Sequence, residues 1–227
     1  MLRNMWRWAK INLPAKSEFG HIGNNTIIEY PCHVETPSNL FLEENTKLRN
    51  GATIINSPNE KVYIKKYTAI AANCTIITAG HKSTVGIPHF LLGSSHINDK
   101  SKDIIIEEDV WIGANVTLLS GAHLSRGCII GAGSIISKYV PPYALVVGPS
   151  AKILKVKFSL DDILEHEKNI YPPSERLSKE DLKIIFEKYY QDVPVFGVNS
   201  ILSDEEKIKV LQTKKRLHFI EPEMGGG

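Results

Sequence analysis

Cysteine is scarce here, three in 227 residues, and that odd number without metal-ligand spacing excludes a disulfide framework or a CxxC-type zinc site. Charge of one sign is lacking too. The 27 Lys and Arg stand against 25 Asp and Glu, a formal net charge of +2, which argues against a nucleic-acid binder built on bulk electrostatics. No apolar run approaches the roughly 20 residues that a bilayer-spanning helix requires. The opening MLRNMWRWAKINLP is broken by Arg3, Arg7 and Lys10, so it lacks the apolar centre of a secretory signal. There is no Walker-type phosphate loop and no GxGxxG turn between a strand and a helix. What remains is an ordinary globular composition, 42% hydrophobic and 23% charged, in a chain long enough for one large domain with a smaller appendage. A cytoplasmic protein is expected. Residues 1–20 read as a short helix packing its tryptophans on the main body, or alternatively as a basic, Trp-bearing element for membrane surfaces.

Read in sixes, the chain repeats. From Ile106 it gives IEEDVW, IGANVT, LLSGAH, LSRGCI, IGAGSI and ISKYVP. The same frame gives IKKYTA, IAANCT and IITAGH from Ile64, LEENTK and LRNGAT from Leu42, and IGNNTI, IEYPCH and VETPSN from Ile22. The first position is always Ile, Leu or Val, and the fifth is always small or β-branched. Neither an amphipathic helix nor an alternating strand has a period of six. A short fixed period signals stacked units, and the physical reading is a mainly β chain wound into a parallel β-helix with triangular coils, one hexad to a side. The first-position side chain points into the prism and stacks on its counterpart one coil away, each contributing roughly 1.5–3 kcal/mol on burial. The fifth sits near a corner, where only a small group fits. Cys32, Cys74 and Cys128 all occupy that slot, so they are expected to be compact buried hydrophobes in a reducing compartment.

One break in the rhythm is long. After IITAGH the hexads stop at His81, and residues 82–103 form an excursion; loops of this length inside compact domains are commonly functional. His81 ends its hexad at an outward-facing corner, which suits a general base better than a core residue. His33, His89, His96 and His123 read first as surface residues, with His89 the foremost of them as an acceptor contact.

The run VWIGANVTLLSGAHLSRGCIIGAGSIISKYVPPYALVVGPSAKILK, residues 110–155, resembles the hexapeptide-repeat acyltransferases, particularly the maltose, galactoside and xenobiotic acetyltransferase branch. Its closing GPSAKILK is one residue tighter than the family's glycine-any-proline-alanine form, and the early coils carry glycine at the second hexad position less often. The resemblance implies a left-handed winding, which periodicity alone does not give and which runs against the usual crossover preference. It also implies a homotrimer with active sites between subunits, acetyl-coenzyme A as donor, and no metal. Around TAGHK it implies that His81 takes the proton from an acceptor that attacks the thioester directly, without an acyl-enzyme. Trp111 would stand beside the cleft. Ala114 and Ala132 would offer backbone groups to the pantetheine arm, Gly131 and Gly133 would let it approach closely, and Lys138, Lys152 and Lys155 would meet the phosphates. Asn50, in LRNGAT, matches a polar acceptor contact. The implied acceptor is a sugar or polysaccharide precursor.

These readings divide the chain into an N-terminal segment (1–20), a β-helix (21–155) and a C-terminal helical extension (156–227). In the extension, FSLDDILEHEK, SKEDLKIIFEKYY and SDEEKIKVLQTKKRL have helical periodicity. Ser159, Ser178 and Ser203 are expected N-caps, each followed three residues later by an acid. The final EMGGG reads as disordered. Three competing functions stay open: a xenobiotic acetyltransferase, whose paired tail tryptophans are missing; a β-helix zinc hydro-lyase of the carbonic-anhydrase type, needing three imidazoles; and a non-catalytic scaffold.

Overall fold

The computed structural model describes residues 5, 8, 9 and 12–222, so the terminal EMGGG lies outside the described residues. The repeat winds as a three-sided parallel solenoid. Sheet A stacks six strands, beginning with His21–Ile22 and ending with Tyr139–Val140; sheet B stacks seven, from Ile27–Ile28 to Lys152–Val156; sheet C stacks five, from His33–Val34 to Ile135–Ile136. Every strand pairs in parallel with the one a coil away, except that Ala144–Val147 turns back on Lys152–Val156 as an antiparallel closing hairpin.

Register makes the first hexad position a column on each sheet. Sheet A aligns Ile22, Leu42, Ile64, Ile106 and Leu124. Sheet B aligns Ile28, Leu48, Ile70, Ile112 and Ile130. Sheet C aligns Val34, Ile54, Ile76, Leu118 and Ile136. All are buried except Ile22 and Ile28, which are partly buried in the first coil, where their strands end the sheets among the described residues. Two register points differ from the sequence reading. Ile54 is a first-position residue that the hexad frame passed over. Val140, read as a fifth position, instead pairs with Leu124 in the sheet A column, because the chain reaches sheet A sooner after Ile136 than a full hexad allows.

The fifth position holds small buried residues wherever the six-residue interval is kept, whereas Ser38 and Gly80, in hexads that lead into the broken intervals, are exposed and half-buried. All three cysteines are buried and free, and burial pushes each thiol up. Thr26, Thr46 and Thr68 satisfy their buried hydroxyls by donating to the backbone carbonyls of Gly23, Glu43 and Glu107. The fourth position carries a signal the hexad reading did not use. Asn25, Asn45, Asn73, Asp109 and Asn115 all have φ between 54° and 60°, the left-handed corner that Asn and Asp tolerate best among side-chain-bearing residues. Gly127 shares that geometry at φ 69°, and there a Cβ would fall 2.4 Å from the Tyr143 ring.

At the N-terminus Met5, Trp8, Ala9 and Asn12 are helical, with Trp8 more than half exposed. Beyond the solenoid come helices α1 (His89–Ser95, inside the excursion), α2 (Leu160–Ile170), α3 (Lys179–Tyr189) and α4 (Asp204–Arg216). Ser159, Ser178 and Ser203 cap the last three, each accepting from the backbone N–H three residues on, and Ser203 with Glu206 completes a capping box. Ile163, Leu182 and Tyr190 join the solenoid core, so α2 and α3 close its last coil, whereas α4 buries no residue. The closure is also polar. Arg126 reaches Glu108 (3.2 Å) and Glu167 (3.0 Å), Tyr143 donates to Glu167 (2.6 Å), and the guanidinium stacks 4.1 Å over the Tyr171 ring.

Candidate active site

The hexad rhythm is kept at the corners from sheet A to B. From C to A it is broken in each of the first three coils: Val34 to Leu42, Ile54 to Ile64 and Ile76 to Ile106 all exceed six residues. The surplus residues share one edge of the prism and wall a cleft of about 710 Å³, lined by Glu35, Thr36, Asn56 and Asn59 from the lower coils, Glu60 beside them, His81 at the end of its hexad, and Gly93, His96 and Asp99 from the excursion.

His81 is held from one side. Its Nδ1 lies 2.7 Å from Asp99 Oδ1, and the two residues form an isolated antiparallel bridge across the base of the excursion. Asp99 Oδ2 meets His96 Nδ1 at 2.9 Å. The hydrogen bond from His81, followed by that from His96, holds the Asp99 carboxyl below its ordinary range, so it is an ionised acceptor and both Nδ1 atoms donate to it. That fixes the His81 tautomer and leaves Nε2 with its lone pair free. Gly93 stands beside that nitrogen: a Cβ there would be 3.9 Å from Nε2, so the bare glycine leaves room for a substrate. Such an arrangement can accept a proton in the cleft and hold the resulting imidazolium against a carboxylate.

Asp99 was not foreseen from the sequence, because only the bridge brings it to His81 from eighteen positions away. His81, His96 and Asp99 bring ligating atoms within 4.8 Å of one another, but His123 is elsewhere, bonded to Glu107 at 2.6 Å on sheet A. Within one chain, then, two imidazoles converge rather than the three a hydro-lyase needs. His89 does not line the cleft; its Nε2 is 3.1 Å from Ser83 Oγ within the excursion.

The other expected residues gather at a different corner. Between sheets B and C the backbone rises as a ladder, with Asn73 N–H donating to Asn50, Asn115 to Ala72 and Gly133 to Ala114. Asn50 therefore lies in the column of Ala114 and Ala132 and not in the His81 cleft. Ala132 ends the ladder: no backbone bond is made to its carbonyl or from its N–H among the described residues, and it is exposed between Gly131 and Gly133. That open backbone fits an amide-bearing arm such as pantetheine. Trp111 is half-exposed on sheet B, between Ala69 and Ile129. Lys138 precedes Tyr139 at the corner from C to A, while Lys152 and Lys155 lie on the closing hairpin, with the Lys155 ammonium 5.7 Å over the Phe196 ring.

Residues 103–138 match the bacterial transferase hexapeptide (six repeats) family. The chain is 28% identical to galactoside O-acetyltransferase of Escherichia coli over 156 residues, 69% of this chain and 70% of that protein. Curated relatives are matched over 65% and 70% of their lengths. Among solved structures, the fold resembles a hexapeptide-repeat acetyltransferase from Vibrio cholerae complexed with acetyl-coenzyme A, with a TM-score of 0.58 and 23% identity, over 68% of this chain and 85% of that one. A maltose O-acetyltransferase from Clostridium difficile has a TM-score of 0.53 and 26% identity, over 62% of this chain and 71% of that one.

Proposed function

We propose that this chain, whose repeat matches the hexapeptide transferase family over residues 103–138, is an acetyl-coenzyme A-dependent acetyltransferase that acts on a sugar hydroxyl with His81 as general base. The observation that carries the reading is the His81–Asp99 pair opening into a cleft with Nε2 free. The acceptor hydroxyl attacks the thioester carbonyl as its proton passes to Nε2. The tetrahedral intermediate collapses with loss of the coenzyme A thiolate, which takes that proton back. No acyl-enzyme is needed, and the buried cysteines offer no nucleophile. The sugar acceptor is supported by relatives named for galactoside and maltose O-acetylation.

A homotrimer belongs to the same proposal. His81 and the open ladder at Ala132 occupy different corners of one prism, so a single copy holds base and donor slot apart. A neighbouring copy can juxtapose them. Val85, Phe90, Leu91 and Ile97 of the excursion are exposed apolar residues, suited to covering a neighbour. Among the described residues no helix is long and apolar enough to cross a membrane, and a coenzyme A donor suits a cytoplasmic site serving polysaccharide assembly. Release of free thiol from acetyl-coenzyme A in the presence of sugar acceptors tests the reading. Acceptor-dependent release is expected; its absence across neutral, cationic and anionic sugars, or failure to bind the donor in calorimetry, contradicts it.

A further inference from the structure

Helix α1 ends on a residue type that its backbone does not favour. His96, the C-cap, has φ 52° and ψ 35°, and its N–H closes the helix on the Leu92 carbonyl. Left-handed caps suit glycine best and asparagine next, because a Cβ crowds the neighbouring carbonyl. Packing does not offset that crowding: the His96 side chain is 70% exposed. It makes one hydrogen bond among the described residues, from Nδ1 to Asp99 Oδ2 at 2.9 Å. The other Asp99 oxygen lies 2.7 Å from His81 Nδ1, and the two imidazole rings stand 5.8 Å apart, so the carboxylate bridges them. Its side chain has no further hydrogen-bond partner among the described residues. A carboxylate gripped at one oxygen turns readily about its Cβ–Cγ bond, and Asp99 is 26% exposed, so water competes for it. Gripped at both oxygens, it keeps one orientation.

We propose that His96 is a positioning residue for acetyl transfer: by donating to Asp99 Oδ2 it turns Oδ1 onto His81 and so keeps Nε2 open to the cleft. The inference rests on the acetyl-transfer reading for the reaction that it serves. The acceptor hydroxyl loses its proton to His81 Nε2 as its oxygen bonds to the acetyl carbon. Asp99 steadies the imidazolium across Nδ1–H until that proton leaves with the thiolate. His96 keeps its own Nδ1 proton throughout. What it contributes is the orientation of a charge, so a neutral donor of the same reach replaces it. Asparagine is such a donor: its Nδ2 stands at the same branch of the side chain as the histidine Nδ1, and the left-handed backbone suits it.

The test uses the whole protein carrying His96→Gly or His96→Asn, read by thiol release, thermal melting and nitrogen NMR of labelled histidine rings. Glycine suits the cap, so the melting temperature of His96→Gly should hold or rise. Its kcat should nevertheless fall about 3–30-fold, the reach of a lost hydrogen bond to a charged group. Acetyl-coenzyme A affinity should stay unchanged, and His81 should pass from one tautomer to a mixture. His96→Asn should recover most of the turnover and the single tautomer. With Asp99→Asn already in place, His96→Gly should change kcat by about 2-fold or less, because its partner is gone. An unchanged kcat and tautomer in His96→Gly, a full effect without Asp99, or asparagine no better than glycine each overturns the assignment. The NMR comparison needs no turnover, so failure of the transferase reading leaves the His81 tautomer to decide this one.

Discussion

Two edges of one prism have opposite designs. At the corner from sheet B to sheet C the six-residue interval is kept, side chains are small, and what faces outward is backbone, ending in the unpaired Ala132. At the corner from C to A the interval is exceeded in each of the first three coils, and what gathers there is side-chain chemistry: Glu60, His81, His96 and Asp99. A regular solenoid edge repeats the same backbone group every coil, which suits an extended ligand. Catalysis needs unlike groups converging on one point, and the repeat supplies that only where it is interrupted.

The comparison can be broken at its base or at either edge. Ile112 belongs to the inner column that supports both. An unpaired buried carboxylate costs several kcal/mol against a total stability of about 5–15 kcal/mol, so Ile112→Asp should abolish the β-sheet circular dichroism signal. Next in size is Arg126→Ala, which takes from the buried Glu167 its only cation among the described residues and leaves Glu108 with Lys65 alone, and should cost about 3–5 kcal/mol in denaturant melts. This closing region also sets the acid limit. Burial tends to raise Glu108 and Asp109, but Arg126 and Lys65 for the first, and His166 and Lys157 for the second, outweigh it and hold both below their ordinary 4.5 and 3.8. Depressed carboxyls stabilise the fold fully above those values, and that stability is lost as pH falls through the lower folded ones. The melting temperature should therefore hold steady near neutrality and drop below about pH 4.

Asp99→Asn touches only the irregular edge. It removes the charge that fixes the His81 tautomer, and kcat should fall about 10²-fold with donor affinity intact. The smallest effect belongs to the regular edge. Lys152→Ala with Lys155→Ala should weaken acetyl-coenzyme A binding a few-fold at low salt and less at 0.5 M salt, as exposed charges do.

Much of the fold was legible because burial constrains one position in six so tightly. The columns, the cysteine slots and the three serine caps all follow from side-chain size or hydrogen-bonding type at fixed spacing. Ile54 escaped because the residues after it leave the rhythm at once, and Val140 because the last coil is cut short. The expectation of a left-handed winding comes from family resemblance, not from the period. The site was legible only as an interruption. His81 marks where the rhythm stops, but Asp99 and Glu60 reach the cleft through irregular backbone that no spacing rule describes. Asn50 shows the converse: within a hexad its place on the regular edge, in the column of Ala114 and Ala132, is fixed by position.

The most direct measurement is acetyl transfer by His81→Ala, with donor binding followed in the same preparation. The account predicts undiminished acetyl-coenzyme A affinity and turnover reduced by about 10²–10⁴, the worth of a placed general base. Turnover equal to that of the unaltered protein would contradict it.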